Sequence, residues 1–304
     1  MGSARTVALY SECLKTLEKA NIYYSDSSDL KGLMVQIRGL KTGKGVFISA
    51  SSYRLYLNAL IWYYKSKSID PLKLSELRHE IYNLKLADSL ILSQNVLSDA
   101  QSVNYLSWLD ILKVYNNLKL SAMPTLNQHK NFALLSCYIL LPPRRLKDYG
   151  LMHISDSDSL LDIKFNYYVK GVFIFNNYKT RSYFGVQRVK VPDDLDLILR
   201  EYIDSHKIVG SLFGLSCPAL EHRLLRIFER CTGKSISVNI LRHSYITYLK
   251  DSKRMLGNEK TISKLMAHSL TMQNEYYKDP LKKLDNVLLS TEKLGNGILT
   301  MPIM

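Results

Sequence analysis

A chain of 304 residues is long enough for two ordinary domains, each with its own core. Its 46% hydrophobic and 22% charged residues are those of a folded globular protein. No run approaches the roughly 18–20 apolar residues that cross a bilayer, and no apolar signal opens the chain, so a membrane or secreted protein is not expected. Lysine and arginine total 41 against 27 acidic residues, a net charge of +14 spread along the whole chain. A folded chain with that surplus calls for a polyanionic partner. Nucleic acid comes before an anionic membrane surface, because no basic amphipathic helix stands out. Cys13, Cys137, Cys217 and Cys231 form no C-x-x-C pair, and no histidine stands at zinc-ligand spacing from them. They read as reduced thiols of an intracellular protein, with neither a disulfide frame nor a metal site.

The first third reads as helical. Val7 to Asn21 has helical apolar spacing. Ser51-Ser52 can cap a helix whose apolar face is Tyr53, Leu57, Leu60, Ile61 and Tyr64. Leu72–Leu84 and Tyr105–Leu118 read as two more helices with a polar stretch, Ser93–Asn104, between them. Ser121-Ala122-Met123-Pro124-Thr125 breaks the pattern, which predicts domains over 1–120 and 121–304. Lys130 to Leu141 is an apolar helix that stops at Pro142-Pro143. Strands are expected over Asp162–Val169, Val172–Asn176 and Ser182–Val191, with Lys170-Gly171 as the tight turn between the first two. Pro192 opens a further helix with Asp193-Asp194 near its N-terminus. From there to about Lys283 the chain is helical, with breaks near Gly210–Gly214, Gly233-Lys234 and Gly257-Asn258. The expected fold is mainly α with a small antiparallel β-sheet in the second domain.

Three strings carry chemistry. Leu241-Arg242-His243-Ser244-Tyr245-Ile246-Thr247 closely resembles the "LRH-S/T-x-x-T" box of tyrosine recombinases. Leu265-Met266-Ala267-His268-Ser269, followed by Tyr276-Tyr277, resembles that family's "GH-S" box, which precedes the nucleophilic tyrosine by nine residues and so selects Tyr277 over Tyr276. Pro142-Pro143-Arg144-Arg145-Leu146-Lys147-Asp148 looks like the "T-G-x-R-x-x-E" box, with Pro-Pro for Thr-Gly and Asp for Glu, a form similar to recombinases of large DNA viruses and related mobile elements. Each string alone is weak; three in order across Pro142–Tyr277 are specific.

The residue types suit the task. A phosphodiester is anionic and gains negative charge as it is attacked, and guanidinium groups match that planar charge while staying ionised. The resemblance gives Arg145 and Arg242 the two phosphate oxygens, His268 a hydrogen bond to the phosphate, and Tyr277 the attack that forms a 3′-phosphotyrosyl bond. No metal or cofactor is implied, since two arginines supply the positive charge. The leaving 5′-oxygen needs a proton, supplied in the family by a lysine in a β-hairpin. Lys179 is the matching residue here, with Lys170 as runner-up. One departure stands out: the family reads His-x-x-Arg, and the position three residues before Arg242 is Asn239, which cannot act as a base. His243 falls on another face of the helix, as a support. Arg144 is expected to touch phosphate or stand solvated.

The resemblance also implies a two-domain clamp, a helical core-binding domain plus an α+β catalytic domain closing around double-stranded DNA. Lys41, Lys44, Arg54, Lys65 and Lys67 are the candidate phosphate contacts of the first half, beside the alternative that they only solubilise the surface. Binding should weaken steeply with salt. A homotetramer on two recombining sites is implied, with Leu284, Val287, Leu288 and Leu289 as an apolar face docking on a neighbour or on its own domain. The functions implied are site-specific strand exchange, a type IB topoisomerase-like nicking and closing activity, or, given Asn239, a catalytically inactive DNA-binding protein.

Overall fold

The computed structural model describes residues 4–25, 29–121, 125–159 and 161–279. The expected docking face at Leu284–Leu289 lies outside them, as do residues 122–124 of the expected domain break. The chain divides into two compact units between Ser93 and Gln94.

Among its described residues the first unit holds four helices, α1 (Ala4–Lys19), α2 (Leu30–Arg38), α3 (Ala50–Ser66) and α4 (Pro71–Ser93). Its core is Leu14, Leu17, Leu33, Ile37, Tyr53, Leu57, Leu60, Tyr64 and Leu77. The cap of α3 is Ser49, not Ser51 or Ser52: its hydroxyl accepts from the Ser52 backbone N–H, and both later serines lie within the helix. The helix α2 was not anticipated. It buries Leu30, Leu33 and Ile37 on one face and is capped by Asp29, whose carboxylate accepts from the Gly32 N–H.

The second unit begins earlier than the expected 120/121 boundary. Ser98 closes a capping box with Gln101 and turns part of the expected polar stretch into α5 (Asp99–Asn104). It is followed by α6 (Trp108–Leu120). Trp108, Ile111, Val114 and Tyr115 of α6 are buried in the second core. Tyr115 stacks on Phe132 at 5.4 Å, and Trp108 meets Tyr245 edge-on at 4.9 Å. Each such side chain is worth about 1.5–3 kcal/mol when buried.

The rest of this unit runs α7 (Leu126–Ile139), α8 (Leu146–Gly150), β1 (Met152–Ile154), β2 (Asn166–Val169), β3 (Val172–Phe175), α9 (Arg181–Phe184), β4 (Gln187–Lys190), α10 (Asp193–His206), α11 (Cys217–Thr232), α12 (Val238–Asp251), α13 (Glu259–Leu265) and α14 (Leu270–Tyr276). The sheet has four strands in the order β1-β2-β3-β4. It is mixed rather than antiparallel, because the unanticipated β1 pairs parallel with β2 while the other two pairings are antiparallel. Lys170 and Gly171 form the expected tight turn, both at positive φ (45° and 79°), the backbone that a two-residue hairpin requires. The expected third strand is shorter. Its first half is the single turn α9, closed by Gly185 at φ 69°, and only Gln187–Lys190 is extended. Among the described residues no helix is long and apolar enough to cross a membrane.

Candidate active site

Four segments meet at the C-terminal end of α13. The last carbonyls of any α-helix lack partners within it. Here the end is shaped by a Schellman turn: His268 N–H donates to Ser263 O (3.0 Å), and Ala267 N–H donates to Lys264 O (3.1 Å). The remaining acceptor capacity faces three arginines. Arg144 Nη1 donates to Leu265 O (2.7 Å), Arg242 Nη1 to Met266 O (3.3 Å), and Arg145 Nη1 to Ala267 O (2.6 Å). Thr180 Oγ1 also donates to Ala267 O (2.9 Å), and Gln187 Nε2 donates to Lys264 O (3.0 Å). The negative end of the helix dipole thus gathers guanidiniums that would otherwise repel one another.

Ala267 sits at φ +52°, a left-handed conformation that costs a side-chain-bearing residue roughly 1–2 kcal/mol. Glycine is at ease there, so Ala267→Gly is expected to stabilise the protein by about 1 kcal/mol. Denaturant unfolding checks this, and an unchanged or lowered midpoint would refute it.

Arg242, on α12, is fully buried. Its Nη1 also donates to Pro143 O (2.6 Å), and its Nη2 donates to His268 Nδ1 (3.0 Å). That bond leaves the imidazole proton on Nε2, which donates to Gln273 Oε1 (3.4 Å). The Tyr276 ring closes the group: the Arg242 guanidinium lies 4.6 Å from its centroid, and His268 stacks on it at 5.3 Å. Burial, then the neighbouring Arg242 charge, pushes the His268 pKa down to about 3, so the ring is neutral.

The structure therefore brings together Arg145, Arg242, His268 and Tyr276. Tyr277 stands outside this group. Its ring is 4.9 Å from Lys250 Nζ. Burial, then the carboxylates of Asp251 and Asp279, push its pKa up. The reason is local. Ser269 caps α14 directly after His268, its hydroxyl accepting from Met272 N–H. Counting from that cap puts Gln273 and Tyr276, three residues apart, on the face turned to Arg242, while Tyr277 leaves the helix with extended backbone (φ −64°, ψ 130°).

The box around Arg242 explains how the tyrosine segment is held. His243 Nδ1–H donates to Tyr276 O (2.8 Å), and its Nε2 accepts from the Gln101 amide (3.3 Å). Thr247, one turn on, exchanges two hydrogen bonds of 3.0 Å with the Lys278 backbone. Ser244 Oγ donates to Leu106 O (2.6 Å). Thr247, Gln273 and Thr180 were not singled out from sequence. Thr247 alone had a signal, as the last letter of its motif.

The other expected residues fall as follows. Lys179 is exposed in the β3–β4 loop, next to Thr180 and hence one residue from the group, whereas Lys170 is at the far hairpin turn. Asn239 is exposed one turn before Arg242 on the same helix. Arg144, expected to touch phosphate or stand solvated, is instead 2% exposed and ion-paired with Asp148. In the first unit Lys41, Lys44, Lys65 and Lys67 are exposed, while Arg54 is drawn into an ion pair with Asp88.

Burial pushes His243 down to about 4. In an unfolded chain both histidines would titrate near 6.5. Between that value and the folded ones the unfolded chain binds more protons, so their contribution is complete above pH ~6.5 and is lost as pH falls toward 4 and 3. The loss reaches about 1.4 kcal/mol per pH unit for each histidine. Thermal melts from pH 8 to 4.5 should show Tm dropping below pH 6.5. His243→Asn, whose amide can still donate to Tyr276 O, should flatten that drop; an equally steep drop in the variant would refute the assignment.

No family model matches the sequence, and no curated protein does. Among solved structures the chain is similar to the XerH site-specific recombinase bound to its palindromic difH substrate in a post-cleavage complex, at 15% identity and a TM-score of 0.51 over 96% of this chain and 78% of that one. The Tn1549 transposon integrase in complex with a circular intermediate DNA aligns at 14% identity and a TM-score of 0.40, over 95% of this chain and 99% of that one. The chain has the tyrosine-recombinase fold that its three motifs implied.

Proposed function

We propose that the protein cuts and rejoins duplex DNA through a 3′-phosphotyrosyl bond, with Tyr276 rather than Tyr277 as nucleophile. One observation carries the reading: two arginines, a neutral histidine and a phenol from four separate segments share one knot.

A DNA phosphate competes for guanidinium N–H groups that at rest serve backbone carbonyls. It would draw Arg145 and Arg242 onto its non-bridging oxygens, where a charged acceptor binds more strongly than a neutral carbonyl. Arg242 then releases His268 Nδ1, on a ring that already packs against that of Tyr276. His268 can accept the phenolic proton, the service that Asn239 cannot perform. Tyr276 Oη attacks phosphorus, the P–O5′ bond breaks, and Lys179 protonates the departing 5′-oxygen. The energy of the broken ester stays in the new one, so rejoining by the reverse steps needs no nucleotide.

Lys41, Lys44, Lys65 and Lys67 would bring the first unit onto the backbone of the same duplex, with two protomers on each of two sites for strand exchange. A pool of nicked duplexes of randomised sequence, in which cleavage releases a short oligonucleotide and traps the protein, tests the chemistry. A protein–DNA adduct that survives denaturing detergent is expected. Sequence-selective binding with no adduct from any pool would instead favour an inactive DNA-binding protein, the reading that exposed Asn239 supports.

A further inference from the structure

Two arginines stand side by side in Pro142-Pro143-Arg144-Arg145, and the structure gives them different tasks. Arg145, the N-cap of α8, has extended backbone (φ −74°, ψ 152°). Successive side chains on extended backbone point to opposite sides. Arg145 stays half-buried beside Ala267, while Arg144 turns into the interior.

There Arg144 joins three elements. Its Nε donates to Asp148 Oδ2 (2.8 Å) on α8, and its Nη1 donates to both Gln187 Oε1 (2.8 Å) on β4 and Leu265 O (2.7 Å) on α13. The guanidinium carbon Cζ lies 3.7 Å from the centre of the Phe175 ring and 5.2 Å from that of Tyr178. Gln187 passes the connection on by donating to Lys264 O. Burial pushes the Asp148 carboxyl up, and the Arg144 charge opposes that rise.

We propose that Arg144 is a positioning residue for the proposed strand-cleavage site, not a phosphate contact. It sets the height of the α13 C-terminus against α8 and β4. The next two carbonyls of that terminus, Met266 and Ala267, are where Arg242 and Arg145 register, and the residue after them is His268. A displacement of α13 would therefore move both phosphate-binding groups and the proton acceptor together. The position calls for arginine because a planar fork serves acceptors in two directions while stacking on Phe175. A lysine ammonium keeps the charge but not the fork or the stacking.

This claim rests on the cleavage reading, and its test separates the two. Arg144→Lys should leave DNA affinity unchanged and slow adduct formation about a hundredfold, the cost of misplacing reacting groups by about 1 Å. Nitrogen-15 spectra of the histidine rings provide a readout that needs no catalysis. In the wild type His268 should show one tautomer, protonated on Nε2. In Arg144→Lys it should become a mixture, while half-buried His153, packed on Phe165 away from α13, stays as it was. Unchanged His268 signals in Arg144→Lys would overturn the proposal, whether or not the wild type forms an adduct. No wild-type adduct at all would count against the cleavage reading alone.

A second variant, Arg144→Met with Asp148→Asn, removes both charges and leaves no unpaired carboxylate. The slope of log affinity against log salt should stay at the wild-type value. A slope shallower by about 0.9, the signature of one lost phosphate contact, would make Arg144 a DNA ligand and overturn the proposal. If the double variant does not fold, the spectra of Arg144→Lys decide alone.

Discussion

Tyr276→Phe should form no covalent adduct with a trapping DNA substrate, while Tyr277→Phe should form it at a rate within about threefold of wild type, as expected of a change away from the reacting groups. The contrast follows from what surrounds each ring. Tyr276 lies over the Arg242 guanidinium, stacked on His268. Tyr277 faces Asp251 and Asp279, which raise its pKa together with burial. Both variants should bind DNA like the wild type, since neither loses a positive charge. Activity lost in Tyr277→Phe and kept in Tyr276→Phe would restore the nine-residue spacing rule and require α14 to turn on binding DNA.

Arg242→Lys should lower the cleavage rate by about a hundredfold to a thousandfold, the range for removing one preorganised donor to a developing oxyanion. Its effect on the fold is separate and also large. Arg242 serves Pro143 O, Met266 O and His268 Nδ1 from a fully buried position. Lysine cannot reach all three in one geometry, and each buried acceptor left without a donor costs about 1–3 kcal/mol. A total destabilisation of about 3 kcal/mol is expected in urea unfolding. A variant with wild-type stability and cleavage rate would mean that Arg242 does not hold the α8, α12 and α13 ends together.

Three members of the side-chain group at the end of α13 were legible before the fold. Arg145, Arg242 and His268 stand out because their chemistry demands fixed residue types at fixed places in recognisable strings. The tyrosine proposed as nucleophile departs from the nine-residue spacing. Counting residues from His268 ignores where the next helix is capped, and Ser269 starts α14 so soon that Tyr276 completes the face. Arg144 was unreadable for another reason: adjacent arginines look alike in a string, and only the extended backbone at position 145 sends one inward. The small strand β1 has three residues, too few for alternation to show. The place of α6 was hidden because its apolar face, Trp108, Ile111, Val114 and Tyr115, says that it packs but not on what.

Trypsin digestion of the trapped protein–DNA adduct places both tyrosines on one peptide, Leu265–Lys278, and fragmentation of that peptide by mass spectrometry locates the nucleotide remnant directly. The remnant is expected on Tyr276. A remnant on Tyr277, or on any residue outside this peptide, would contradict the assignment of the phenol beside Arg242 and His268 as the attacking group.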